Sequence, residues 1–327
     1  MKILVVGAGA TGGFFGLRLA QAGRDVTFLV RPRRAELLRE RGLRLTGLDA
    51  DDVLVPKLVT AREIAEPYDL MLVSVKADFL PSALGDAAPA VGPHTAVVPF
   101  LNGIAHMDVL NARFGAPAVL GGVVKAITML DDAGDIVQLA PLAAIMVGEQ
   151  DGRSSPRLGA IEQTLTGAGF DLSVSPDIIT AMWHKWVFIS TLGALTSLMR
   201  GAVGDVVAVP GGERLGPAIL AEAAAVSAAA GHPVPAPQLD ATSAVVTEQG
   251  SPDTASIYRD LAAGRPTEVE HILGDLTARA RALGVNTPLL DLATLNLRVH
   301  QQRVTSAPQV SQGRDALTPA VCQPSPA

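Results

Sequence analysis

The chain holds 327 residues, 48% of them apolar and 18% charged, with a formal net charge of −6. That suits a globular protein with room for two cores and excludes a disordered chain. No basic stripe for nucleic acid stands out, and the single cysteine, Cys322, rules out an internal disulfide or a cysteine-built metal site. No His/Asp/Glu cluster has metal-ligand spacing, so no metal is expected. The amino terminus runs straight into a strand, without the form of a secretory signal. No uninterrupted apolar run is long enough to span a bilayer; Ala218–Ala230 is too short, and Glu222 interrupts it. The cytoplasm is the expected location.

In chain order, residues 2–7 form an apolar run ended by glycine, the pattern of a strand buried on both faces. A helical pattern over 11–22, with Phe14, Phe15, Leu17 and Leu19, ends at Gly23, and Asp25–Val30 is the second strand. This is a βαβ unit, which implies a parallel sheet and a right-handed crossover. Further strands fall at Asp69–Val75 and Thr95–Pro99, with helical patterns at 78–88 and 104–112. Residues 118–148 are rich in Val, Ile, Gly and Thr and carry a turn signal at Asp131-Asp132-Ala133-Gly134. They read as a partly antiparallel extension of the same sheet. A helix at 156–168 and a strand at 170–174 close this domain.

From residue 177 the strand patterns stop. Helical patterns follow at Ile178–Leu198, 215–230, 236–249, 253–262, 268–283 and 288–302. The fold class is therefore a Rossmann-type doubly wound sheet followed by an all-helical domain. The expected domains are 1–175 and 176–303, with an aperiodic and disordered tail at 304–327. Ile219, Leu220, Val226, Leu289, Leu290 and Leu295 are apolar positions open to two readings, helical core or homodimer interface.

Gly7-Ala8-Gly9-Ala10-Thr11-Gly12 is G-x-G-x-x-G between a strand and a helix, the context this motif requires. Gly7 permits the tight turn, Gly9 lets backbone approach a pyrophosphate, and Gly12 lets the helix pack on the strand. The backbone of Ala10 and Thr11 then presents the positive helix end to phosphate. An acid that would hold a ribose 2′-hydroxyl belongs roughly 20 residues past the motif. The chain has Val30-Arg31-Pro32-Arg33-Arg34 instead. Guanidinium groups pair with a 2′-phosphate, and cations at a helix start are otherwise unfavourable. The expected cofactor is NADPH, with Arg31 as the leading contact.

Four more segments carry chemistry: Ser74-Val75-Lys76, Leu101-Asn102-Gly103, Trp183-His184-Lys185-Trp186, and Ser256-Ile257-Tyr258-Arg259-Asp260 leading to Gly264-Arg265-Pro266-Thr267-Glu268. With the glycine motif, their order and spacing resemble the ketopantoate reductase family (2-dehydropantoate 2-reductases) over nearly the whole chain. The resemblance implies NADPH-dependent reduction of a 2-keto acid, a step of pantothenate biosynthesis. It implies Lys185 as the catalytic lysine and Asn102 as a contact of lysine, substrate and nicotinamide. It implies Glu268 as the lysine's carboxylate partner, Ser256 and Asp260 on the substrate side, and Lys76 near the cofactor.

The residues themselves also have plainer readings. Lys185 suits a snorkelling helix lysine, Glu268 a first-turn carboxylate after Pro266, and Asn102 an ordinary Asn-Gly turn. The chain departs from the family where asparagines usually follow the lysine at successive turns; here stand Ile189 and Gly193. Spacing of four keeps them on the face of Lys185. A pocket wall without amides disfavours a hydroxylated substrate. A more apolar keto acid is thus one candidate beside ketopantoate. A dinucleotide-binding regulator or assembly protein without catalysis is the other class of reading. The active site is expected in the cleft between domains, with closure of the helical domain on binding.

Overall fold

The computed structural model describes residues 1–48 and 50–306. Its first half opens with β1 (Lys2–Val6), α1 (Ala10–Gln21), β2 (Asp25–Leu29) and α2 (Pro32–Arg41). Then come β3 (Leu43–Gly47), β4 (Ala50–Leu54), β5 (Lys57–Val59), β6 (Leu70–Val73), α3 (Leu80–Ala87), β7 (Ala96–Pro99) and α4 (Ala105–Phe114). The long strands β8 (Leu120–Leu130) and β9 (Ile136–Glu149), α5 (Pro156–Leu165) and β10 (Asp171–Val174) complete it. All remaining described elements are helical: α6 (Ile178–Met199), α7 (Val203–Val207), α8 (Gly212–Ala229), α9 (Ala236–Val246) and α10 (Ser256–Ala262). A π-helical turn, Glu270–Gly274, leads into α11 (Asp275–Ala282), and α12 (Pro288–Ser306) follows.

The first sheet is parallel throughout, in the order β5-β2-β1-β6-β7, the Rossmann arrangement. Alternation along its strands builds two cores. Leu4, Val6, Met71, Val73 and Val97 belong to the core that also contains α6, α8 and α12. Ile3, Val5, Leu70, Leu72 and Val98 face the opposite core with Phe14, Phe15 and Phe28. The helical half is thus bound to one face of the sheet through a continuous apolar cluster.

Three differences from the sequence reading have physical causes. Residues 118–148 do not extend the first sheet; they form the antiparallel β8–β9 pair of a second sheet, ordered β10-β9-β3-β4. One isolated bridge, Val97 to Val119, is recorded between the two. At 14 residues, β9 is long enough to serve different partners along its length: β3 near its start and β10 near its end. Second, α2 to β5 fill a stretch that carried no predicted element. Pro32 at the first helical position starts α2; β3 alternates through the buried Leu43 and Leu45 but over only five residues, and β4 has no buried residue. Third, α12 continues to Ser306, past the expected start of the tail; 307–327 and Cys322 lie outside the described residues.

Among the described residues, α6 is long and apolar enough by composition to cross a membrane, which the sequence reading did not anticipate. Its residues Trp186, Leu192, Ala194 and Leu195 are instead buried against the protein's own helices. Of the apolar positions left open above, Ile219, Leu220, Val226 and Leu290 are core, while Leu295 is exposed.

Candidate active site

The glycine loop ends β1 and opens α1. Gly7 has φ +97°, and a Cβ there would lie 2.5 Å from the Ser74 carbonyl oxygen. A Cβ on Gly12 would run into the Gly7 carbonyl oxygen and the Ser74 side chain. Gly9 differs: nothing lies within 4 Å of its would-be Cβ. Among the described residues no side chain caps α1 and its first turn holds no acid, so its leading N–H groups are left without a side-chain partner. Two glycines pack the loop down and the middle one leaves a gap beside a positive helix end. Such a gap at a helix N-terminus could hold a dinucleotide pyrophosphate.

The arginines after β2 divide their tasks. Arg34 is half-buried and donates to the carbonyl oxygens of Ala8 (3.2 Å) and Gly134 (2.9 Å). It pins the predicted Asp131–Gly134 turn to the glycine loop and is committed there. Arg31 is exposed, with its guanidinium 4.5 Å from the centre of the Phe79 ring. Arg33 is exposed as well.

The candidate catalytic residues come from distant parts of the chain. Lys185, on α6, is mostly buried, and burial lowers its pKa from 10.5 to about 8. The charge of Lys125, on β8, pushes the same way, and Glu268 opposes both. Trp183 and Trp186 flank Lys185 in sequence and are buried, their rings 5.0 Å apart. Trp186 Nε1 donates to the Ile272 carbonyl oxygen at 2.8 Å, which ties α6 to the π-turn. Glu268 immediately precedes that helical segment, and its Oε1 accepts from the Ala77 N–H at 3.0 Å. A π-turn beside a candidate catalytic carboxylate fits the tendency of such turns to mark functional sites.

Asn102 follows β7 and is partly buried; among the described residues its side chain makes no hydrogen bond. The adjacent Gly103 sits so close to the π-turn that a Cβ would lie 2.5 Å from the His271 carbonyl oxygen. Asp260 accepts from Lys76 Nζ and from Arg265 Nε, each at 3.0 Å. Ser256, at the start of α10, is exposed. Ile189 packs partly buried against the core. Gly193 is no open hole: a Cβ there would meet Ile257 Cγ2 at 3.0 Å and Ala255 Cβ at 3.9 Å.

Sequence reasoning passed over two residues. Lys125 lies in a strand with no motif, and only the packing of β8 on α6 brings it towards Lys185. His106, on α4, is buried beside the Lys185 charge, and burial with that charge lowers its pKa to about 3. No sequence pattern marks it.

The comparisons agree with this architecture. Residues 3–152 match the family described as "Ketopantoate reductase PanE/ApbA", and residues 177–301 match "Ketopantoate reductase PanE/ApbA C terminal". The chain belongs to the ketopantoate reductase family. It is 31% identical to the uncharacterized oxidoreductase YkpB of Bacillus subtilis, across 92% of this chain and 99% of that protein. It is also 31% identical to the 2-dehydropantoate 2-reductase of Archaeoglobus fulgidus, across 89% and 96%. The crystal structure of 2-dehydropantoate 2-reductase from Geobacter metallireducens superimposes with a TM-score of 0.83 at 26% identity, across 91% and 99%. As a member of the ketopantoate reductase family, the chain is an oxidoreductase. Its Ile189, Gly193 and Ile257 give the face beyond Lys185 an apolar character.

Proposed function

We propose that this protein reduces a 2-keto acid to the 2-hydroxy acid with NADPH, and that it favours an apolar side chain over the hydroxylated one of ketopantoate. Lys185 carries this reading: a buried ammonium, with a pKa near 8, in the cleft beside the glycine loop's domain. When bound, the reduced nicotinamide supplies hydride to the keto carbon. Lys185 donates a hydrogen bond to the keto oxygen and delivers the proton as negative charge develops there. Asn102 orients the carbonyl. Glu268, fixed by the Ala77 N–H, holds the lysine towards the cleft. Arg31 pairs with the 2′-phosphate, and the Gly9 gap takes the pyrophosphate together with the Ala10, Thr11 and Gly12 backbone.

The apolar preference rests on Ile189 and on the filled space at Gly193. An asparagine at either position would offer a hydroxyl partner, and here a hydroxyl would be buried unpaired.

The test is initial-rate oxidation of NADPH and NADH with ketopantoate and with branched aliphatic 2-keto acids side by side. Branched aliphatic acids should show the higher kcat/KM. Lys185→Ala should lower kcat by roughly 10²- to 10⁴-fold, the usual worth of a general acid. The proton must be present for reduction, so the wild-type rate should hold below and fall above about pH 8. Arg31→Ala should raise the KM for NADPH roughly tenfold and leave NADH almost untouched. Turnover unaffected by Lys185→Ala would overturn the mechanism. Tight NADPH binding without turnover of any keto acid would favour the non-catalytic reading.

A further inference from the structure

We propose that Lys125 anchors the carboxylate of the substrate, so that two ammonium groups hold the 2-keto acid by its adjacent keto and carboxylate oxygens. This rests on the reductase reading of the same site. The register of β8 sets up the contact. A Cβ on Gly121 would lie 2.6 Å from Ile178 Cγ2, so this face of β8 packs on the start of α6. Successive strand residues alternate in direction, which turns Gly121, Val123 and Lys125 to that side. Val123 accordingly joins the core containing Ile178, Met182 and Trp186, while Val124 joins the opposite core. Lys125 lies four strand residues beyond Gly121, roughly 13 Å along β8. Lys185 lies seven helical residues beyond Ile178, roughly 10 Å along α6. Advances of similar length from the Gly121–Ile178 contact agree with the charge of Lys125 reaching Lys185, and Lys125 is exposed while the residues before it on β8 are buried.

The charge balance gives the reason for a second cation. Lys185 is faced by Lys125 from β8, by Glu268 from the segment before the π-turn, and by His106 from α4. His271, on the π-turn, also acts on His106, which stays neutral. Two cations and one carboxylate leave one positive charge, the complement of a monocarboxylate. Glu268 is already bonded to the Ala77 N–H, and Lys125 has no ion-pair partner among the described residues. Like charges brought together cost energy unless an anion shares them. Ser256, which the family resemblance puts near the carboxylate, is exposed and forms no hydrogen bond among the described residues.

The experiment compares wild type with Lys125→Met and Lys125→Arg. It measures steady-state rates on the preferred 2-keto acid and its methyl ester, the pH profile of kcat, and calorimetric titration of oxamate into the NADPH-loaded protein. Lys125→Met should raise both the KM for the acid and the Kd for oxamate roughly tenfold or more, the size of a lost charge-assisted contact. Its preference for acid over ester should shrink. The alkaline fall in kcat should move to higher pH, because removing a neighbouring cation favours the protonated Lys185. Lys125→Arg should retain most of the affinity. An unchanged oxamate Kd, or an unmoved alkaline limb, overturns the anchor while leaving the reductase reading intact. If wild type reduces no keto acid, the reductase reading fails and the titration still decides: oxamate binding that depends on Lys125 supports the anchor, and its absence overturns it.

Discussion

His106 is 4% exposed; among the described residues neither ring nitrogen meets a partner at good hydrogen-bond geometry, although the Asn102 backbone lies near enough to oppose the downward pKa shift. Burial is the main force lowering its pKa from 6.5 to about 3, with Lys185 second. A neutral ring fills the space beside the lysine without adding a third cation. Folding must then exclude a proton that the unfolded chain binds below about pH 6.5, so this group's penalty is absent near neutrality and grows as pH falls towards 3. At pH 5 it should cost about 2 kcal/mol of stability. Denaturant melts of wild type and His106→Leu at pH 7 and pH 5 check this. The variant should lose about that much less on acidification, and identical losses would remove the assignment. Nothing in the sequence pointed to His106 or Lys125, because burial and charge proximity belong to the folded chain. Asn102, Lys185 and Glu268 could be nominated from the sequence because each sits in a short motif that carries the family resemblance.

At the scale of elements, the β7–α4 loop approaches the π-turn closely, beside Asn102 on one side and Trp186 on the other. Gly103 has φ +75°, and its backbone lies against the His271 carbonyl. Gly103→Ala meets two penalties: a left-handed conformation costing about 1–2 kcal/mol, and a Cβ pressed on backbone that cannot rotate away. The π-turn must shift, and Glu268 and Trp186 are both tied to that segment or its flank. The variant should unfold at lower denaturant and lose roughly tenfold or more in kcat. A lower midpoint with unchanged kcat would mean that the π-turn does not position the reacting groups. The Asn-Gly turn was readable from its dipeptide, but its partner 168 residues later was not. The same holds for the second sheet. The β8–β9 hairpin showed itself through its turn, whereas the pairing of β3 with β9, and of β4 with β3, joins segments about 90 and about 7 residues apart that a strand pattern alone does not assign to each other.

Over the whole molecule, the sequence suggested a helical domain that swings shut, and the packing favours a smaller motion. Gly121 and Gly148 both press on Ile178, and the Ala77 N–H reaches across to Glu268. A wide hinge would break this apolar seam. The rim is looser: Lys76 meets Asp260 through an ion pair with 49% and 18% side-chain exposure, and Arg265 shares the same carboxylate. If Lys76 serves the cofactor, as the family resemblance implies, Asp260 competes with the dinucleotide for its ammonium. Exposed pairs contribute little to stability, so Asp260→Asn should leave the melting temperature within about 2 °C of wild type. It should tighten NADPH binding several-fold at low ionic strength, read from the change in nicotinamide fluorescence on titration. The gain should fade at roughly 0.5 M salt, where charges beyond a few ångströms are screened. An equal Kd for both proteins at low salt would show that Lys76 does not exchange partners. A gain that survives high salt would assign the effect to a change in cleft shape instead of charge. Wild-type scattering curves with and without NADPH should superimpose closely, because closure confined to a rim of side chains moves too little mass to register.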